Sequence, residues 1–207
     1  FSGPGFQASV KFLLNNKSVT LISSLKRLPG AEGTTKDDRI TFDTIKDRYQ
    51  SIIDELNLSV DLTAEFEIIK KNFQDQISEE YAASRGEYLN GILLANYLGF
   101  EFVDPATCIF IDEHGNYDDK KTDPILSKKL NEVENCVIPG FYGCCSEDPT
   151  KIRTFSRGGS DVTGSIVAKC GQVKLYENWT DVSGFLVADP RIVKNPEVIG
   201  TITYKEL

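Results

Sequence analysis

The residues with the plainest chemistry are Arg157, Gly158, Gly159, Ser160 and Asp161, inside the stretch "TFSRGGSDVTGS" at residues 154–165. A loop of this composition between a strand and a helix presents backbone N–H groups near a helix amino terminus, and its glycines let a ligand approach the main chain closely. That suits phosphate. The arginine adds a bidentate partner for a carboxylate or phosphate, while the aspartate can cap the helix, hold an ammonium group or support a metal. Taken alone, the string is also compatible with a plain turn and a helix cap. Two further stretches carry candidates: Glu87 in "ASRGEYLN" at residues 83–90, and "TDVSGFLVADPR" at residues 180–191, which ends on Arg191. The only histidine, His114, sits in a Gly/Asn turn and reads as solvent-exposed and structural.

These residues need elements to position them. Phe6, Val10, Leu13 and Leu14 fall on one face at helical spacing, which predicts a helix over residues 6–15, followed by a β-branched strand in "KSVTLISS". After a Gly/Pro/Lys-rich loop, Phe42, Ile45, Tyr49, Ile52 and Ile53 mark an amphipathic helix ending near Leu58, and a second helix is expected over 63–76. Leu89, Ile92, Leu93 and Tyr97 make one stripe of a helix over 84–98, with Ser84 and Glu87 as a Ser-x-x-Glu capping box. Short strands at 101–103 and 107–111, a helix over 123–134, a buried strand in "CVIPGFYG" at 136–143, an irregular "CCSEDPT" and a strand at 151–156 follow. A helix over 161–170 and a strand over 173–179 complete the pattern. Alternating strands and helices predict an α/β three-layer sandwich with a mostly parallel central sheet. No internal repeat or low-complexity linker interrupts it.

Composition narrows the function. The chain has 207 residues, 40% of them hydrophobic and 26% charged, enough for a sizeable core. A formal net charge of −8 argues against nucleic acid or an anionic membrane as the main partner. No apolar run reaches the roughly 18 residues of a membrane span and no signal peptide opens the chain, so the cytoplasm is expected. The five cysteines, Cys108, Cys136, Cys144, Cys145 and Cys170, lack any Cys-x-x-Cys spacing and read as reduced thiols rather than a disulfide framework or zinc site. The sequons at Asn16, Asn57 and Asn178 are discounted with the secretory context missing. With no methionine at all, the chain is expected to be a fragment.

In "SRGGSD" and "TDVSGFLVADPR", in that order and at that separation, the sequence resembles the aspartate kinases of the amino-acid kinase family, whose signature loop is Arg-Gly-Gly-Ser-Asp. "ASRGEYLN" resembles the family's Ser-x-Gly-Glu helix start, "TTKDDRIT" at 34–41 is similar to the substrate loop of clostridial-type members, and "VIPGFYG" also matches. The resemblance implies ATP- and Mg²⁺-dependent transfer of the γ-phosphoryl group to the side-chain carboxylate of L-aspartate, the first step of lysine, threonine and methionine biosynthesis. By the same resemblance Arg157 would grip the α-carboxylate, Glu87 and Asp161 would face the ammonium group or order the loop, and Thr34 would contact substrate. Gly158, Gly159 and Ser160 would donate N–H groups to the phosphoryl group, Thr180 and Asp181 would meet the nucleotide, and Arg191 its phosphates. A homodimer is implied as well. An aspartate side chain is already ionised at pH 7, so such a reaction needs positioning and charge neutralisation rather than a general base.

The match has gaps. Leu186 stands where the family usually carries a tyrosine. The family's opening strand and Lys-Phe-Gly-Gly-Ser loop are not found: Phe1 to Gly5 holds no lysine, and Lys11-Phe12 runs into Leu13-Leu14 on the expected helix. The serine turn after "VTLISS" is left with Ser23 or Ser24 as an approximate match. Residues 1–207 are thus expected to be a catalytic domain incomplete at both ends, without the regulatory domains that usually follow. Two alternatives stay open: a non-catalytic paralogue that keeps the amino-acid pocket, and another kinase of the same fold acting on glutamate or acetylglutamate, against which "TDVSGFLVADPR" argues.

Overall fold

The structure, a computed structural model, describes residues 9–14, 17–22, 42–155, 159–179, 186–189 and 192–200. The first two segments are described in backbone only. They are strands, β1 (Ser9–Leu14) and β2 (Lys17–Ile22), paired antiparallel with Val10 opposite Leu21. The helix expected over 6–15 is therefore wrong for the described part. Pairing with a strand on either side outweighs a four-residue helical stripe, because strand preference depends on neighbours more than on local spacing. Lys11 and Phe12 lie in that strand rather than on a helix.

Helices α1 (Phe42–Leu56) and α2 (Thr63–Gln74) form where the periodicity placed them. Tyr49 and Ile53 of α1 pack with Phe66 and Ile69 of α2 and with Leu89 and Leu93 of α3 (Glu79–Leu98). Phe42 meets Phe66 and Phe73 edge-on at 6.2 and 6.0 Å, a geometry in which the positive ring edge faces the negative ring face. Helix α3 ends at Gly99, in the left-handed conformation with φ 66°.

Beyond α3 come β3 (Glu101–Phe102), a 3-10 turn at Pro105–Thr107, β4 (Phe110–Ile111), α4 (Asp119–Glu132), β5 (Asn135–Pro139), β6 (Tyr142–Cys145), β7 (Ile152–Thr154), α5 (Gly159–Cys170) and β8 (Leu175–Trp179). The main sheet has the order β3-β5-β2-β1-β8, and β4-β6-β7 form a second, smaller sheet. β5 lies parallel to both β2 and β3, while β1 runs antiparallel to β2 and β8. β5 is buried on both faces. Cys136 and Ile138 join Leu126 and Leu130 of α4 and Ile166 and Val167 of α5, whereas Val137 packs with Ala95 of α3. Alternate residues thus serve a helical layer on each side, the three-layer α/β arrangement expected from the sequence.

The single strand expected over 136–143 is two strands in two sheets. Phe141, at φ 80°, makes the break; its N–H donates to Thr163 Oγ1 at 3.1 Å and its carbonyl accepts from the Phe155 N–H at 2.8 Å. An aromatic at a left-handed position leaves the apolar run unbroken in sequence. The adjacent cysteines, expected in an irregular segment, complete β6.

Candidate active site

The arrangement is set by the direction of α3. Ala95 packs against Val137, and Gly91 lies so close to Pro139 that a Cβ there would sit 2.5 Å from Pro139 Cγ. Helix α3 therefore runs antiparallel to β5, and Glu87, one turn before Gly91, lies at the carboxyl end of that strand and beyond it. Pro139 leads into Gly140, where a Cβ would come within 3.1 Å of Ser160 Oγ in the first turn of α5. Gly159 is equally close to the main body: a Cβ there would fall 2.5 Å from Phe155 Cβ. Glu87 and the amino terminus of α5 thus flank the carboxyl end of the parallel strands, the place where open α/β sheets bind ligands.

Glu87 is not a capping residue. Helix α3 starts five residues earlier than expected, with Ser78 as N-cap accepting the Tyr81 N–H at 3.0 Å. Ser84 lies inside the helix, where its hydroxyl donates to Tyr81 O at 2.8 Å. The Ser-x-x-Glu spacing is real but mid-helical, because Ser78 is the better placed hydroxyl upstream of an acidic first turn. Glu87 is 8% exposed, and burial pushes its carboxyl from 4.5 up to about 7, against the pull of its own backbone N–H and of the Arg85 charge. Across from it, Tyr49 donates its hydroxyl to the Gly86 carbonyl at 3.1 Å. Burial, with the Glu87 charge adding to it, pushes that phenol well up, so it stays neutral.

Arg85 is a residue that the sequence reading missed. It is 7% exposed, with its guanidinium carbon 4.5 Å from the ring centroids of Tyr81 and Tyr88 and 5.3 Å from that of Tyr142. Its signal in sequence was slight: a cation between two tyrosines at i−4 and i+3 on a helix. The start of α3 is tied to β7 by Glu80, which accepts the Thr154 N–H at 3.1 Å and pairs with Arg153 at 3.2 Å. That strand leads directly into the glycine loop.

Of the site residues predicted from sequence, the structure describes Glu87, Gly159, Ser160 and Asp161; Thr34, Arg157, Gly158, Thr180, Asp181 and Arg191 lie outside the described residues. Gly159 and Ser160 open α5 rather than preceding it, and Asp161 stands exposed in its first turn, with Asn178 Nδ2 donating to its Oδ1 at 3.4 Å. β8 ends at Trp179, immediately before Thr180. Ser23 and Ser24 are likewise outside, and Leu186 forms a bridge with Val198. Glu87 shares no hydrogen bond or ion pair with α5 among the described residues; a ligand between them would have to span the gap.

Elsewhere the chemistry is quiet. All five cysteines are free and buried; burial pushes Cys144 and Cys170 up to about 11 and Cys108 and Cys136 to about 12, so those thiols are unreactive. His114 is 74% exposed beside Glu113. Among the described residues no group of three or more His, Cys, Asp or Glu could hold a metal ion, and no helix is long and apolar enough to cross a membrane.

Comparison with known proteins gives a consistent picture. The profile of the Amino acid kinase family matches residues 19–207. Aspartokinase 3 of Bacillus subtilis is 34% identical over 180 residues, 80% of this chain and 39% of that protein. The crystal structure of Clostridium acetobutylicum aspartate kinase superposes with a TM-score of 0.73 at 52% identity, covering 80% of this chain and 38% of that one. E. coli aspartokinase III in complex with aspartate and ADP shares the fold, with a TM-score of 0.64 at 23% identity over 82% of this chain and 42% of that one. The chain spans about two fifths of the length of these proteins.

Proposed function

The chain belongs to the amino acid kinase family, and from that premise we propose that it forms the catalytic part of an aspartate kinase, which transfers the ATP γ-phosphoryl group to the side-chain carboxylate of L-aspartate. The carrying observation is Glu87: a carboxylate buried in mid-helix, with no capping duty, at the carboxyl end of the parallel strands. A group placed so expensively in the interior needs a partner, and a substrate ammonium is one. The aspartate and ADP held by the E. coli protein are the ligand classes such a site would take.

In this reading a β-carboxylate oxygen of aspartate attacks the γ-phosphorus, and the bond to the ADP leaving oxygen breaks. No proton has to be removed from the nucleophile. Glu87 holds the ammonium and Arg157 the α-carboxylate, fixing the amino acid at both ends, with Asp161 ordering the loop and Thr34 contacting the substrate. The N–H groups of Gly158, Gly159 and Ser160, at the positive end of α5, receive the transferring phosphoryl oxygens. Thr180 and Asp181 follow directly on β8 to meet the nucleotide, and Arg191 meets its phosphates. Mg²⁺ bound with the nucleotide would supply charge neutralisation on the phosphates. Residues 1–207 are then the kinase domain of a cytoplasmic homodimer serving amino-acid biosynthesis. The test is acyl phosphate formation from L-aspartate and MgATP by the whole protein, trapped as the hydroxamate. Product is expected with wild type, and a large rise in aspartate KM with Glu87→Gln.

A further inference from the structure

We propose that Glu80 is a positioning residue of the amino-acid pocket: it fastens the helix that carries Glu87 to the strand that seats the start of α5. The inference rests on the reading of Glu87 as the ammonium ligand. Strand β7 is three residues long and forms one edge of the smaller sheet, with β6 on its inner side. Successive amides of an antiparallel strand alternate in direction. Phe155 turns its N–H toward β6, onto the Phe141 carbonyl at 2.8 Å, so the Thr154 N–H points outward. A half-buried edge amide needs an acceptor, and Glu80 supplies it. Its Oε1 accepts the Thr154 N–H at 3.1 Å and its Oε2 accepts from Arg153 Nη1 at 3.2 Å. One carboxylate from α3 thus stands where a next strand would lie. The side chains of Arg153 and Glu80 are 35% and 32% exposed, so the ion pair itself adds little stability. The bond to the Thr154 main chain fixes position.

Glu87 lies between two points at which α3 is attached to the strand ends. On one side Gly91 lies against Pro139 of β5, with no room for a Cβ, and on the other Glu80 holds β7. At 1.5 Å per residue Glu87 is about 10 Å along the helix from Glu80 and about 6 Å from Gly91. The apolar contacts of Leu89 and Leu93 hold α3 to α1 and α2, which places it within its own layer and not against α5. From β7 the contacts lead on to α5. The strand continues into the buried Phe155, and a Cβ on Gly159 would fall 2.5 Å from Phe155 Cβ. Thr163 Oγ1 donates to the Gly159 carbonyl at 2.9 Å and accepts the Phe141 N–H at 3.1 Å. The first turn of α5 therefore sits where Phe141 and Phe155 put it, and Phe155 follows directly on the residue that Glu80 holds. Glu80 thereby sets the separation between Glu87 and the amides of Gly159 and Ser160, and one small substrate that must reach both is sensitive to that separation.

The experiment is steady-state kinetics of the whole protein for wild type, Glu80→Ala, Glu80→Gln, Ser78→Ala, Glu87→Gln and the double variant of Glu80→Ala with Glu87→Gln. Glu80→Ala is expected to lower kcat/KM for aspartate about thirtyfold, while KM for MgATP changes by no more than about twofold. Glu80→Gln, whose amide oxygen can still accept the Thr154 N–H, is expected to return to within about threefold of wild type. Ser78→Ala removes the N-cap two residues away and is expected to stay within about twofold of wild type, because it weakens the helix end without releasing β7. In the Glu87→Gln background Glu80→Ala is expected to add no more than about threefold, since two residues that act through one contact are not additive. An unchanged kcat/KM for aspartate in Glu80→Ala, a full further loss in the double variant, or a Glu80→Gln or Ser78→Ala variant as impaired as Glu80→Ala would overturn the assignment. If Glu80→Ala does not fold, Glu80→Asp, whose shorter side chain cannot reach both Thr154 and Arg153, is held to the same profile. No effect of Glu87→Gln on aspartate KM removes the Glu87 role and this inference with it, whereas a rise there beside wild-type kinetics in Glu80→Ala removes the inference alone.

Discussion

Glu87 couples function to stability in a way that can be measured without any activity. Its carboxyl is pushed from 4.5 up to about 7 in the folded protein, so the stability gained from the protonated form is complete below about pH 4.5 and lost as pH rises toward 7. Above that the ionised group opposes folding by about 3 kcal/mol. Glu87→Gln is therefore expected to stabilise the ligand-free protein by that order at pH 8 and to change little near pH 4.5, read by urea unfolding at the two pH values. An equal effect at both would mean that the carboxyl titrates normally. The tyrosines around Arg85 make a second prediction: Tyr142→Phe removes the bond from a fully buried phenol to the half-buried Asp104, which keeps the Ala106 N–H, and should cost about 1–3 kcal/mol. At this scale the sequence was partly legible. Glu87 stood out through its motif, but the capping box assigned to it is not formed, and Arg85 was not singled out because burial depends on what packs around α3, which local sequence does not encode.

Among the elements, α3 matters most, since it carries Glu87 and Arg85 and sets their place over the strand ends. Its start is fixed by Ser78 and its closest approach by Gly91. Ser78→Ala is expected to cost about 1 kcal/mol through loss of the cap, measured by unfolding. Gly91→Ala drives a methyl group into the Pro139 ring, which cannot swing aside, and should cost about 1–3 kcal/mol. Because that contact seats Glu87, it should also raise aspartate KM more than Ser78→Ala does. The long amphipathic helices were readable because their 3.6-residue stripes bury one face in a local cluster. The errors lie where long-range pairing decides: residues 9–14 are a strand because β2 and β8 flank them, and the break at Phe141 comes from contacts with α5 and β7.

Taken whole, the molecule is a sheet whose parallel strands β2, β5 and β3 end at one edge, with α3 approaching from one layer and α5 from the other. The fold class follows from alternation of element types, a property of the whole pattern that tolerates errors in single elements. In this acidic chain the start of α5 brings backbone N–H groups, the positive end of a helix, to the strand ends. The most direct test of aspartate kinase activity is hydroxamate formation by the whole protein with MgATP and L-aspartate, L-glutamate or N-acetylglutamate in parallel. Aspartate kinase activity entails product with aspartate, little with the longer carboxylates, and loss of saturable aspartate dependence in Glu87→Gln. Product with a longer carboxylate in place of aspartate, or none with a folded protein that binds MgATP, would contradict it.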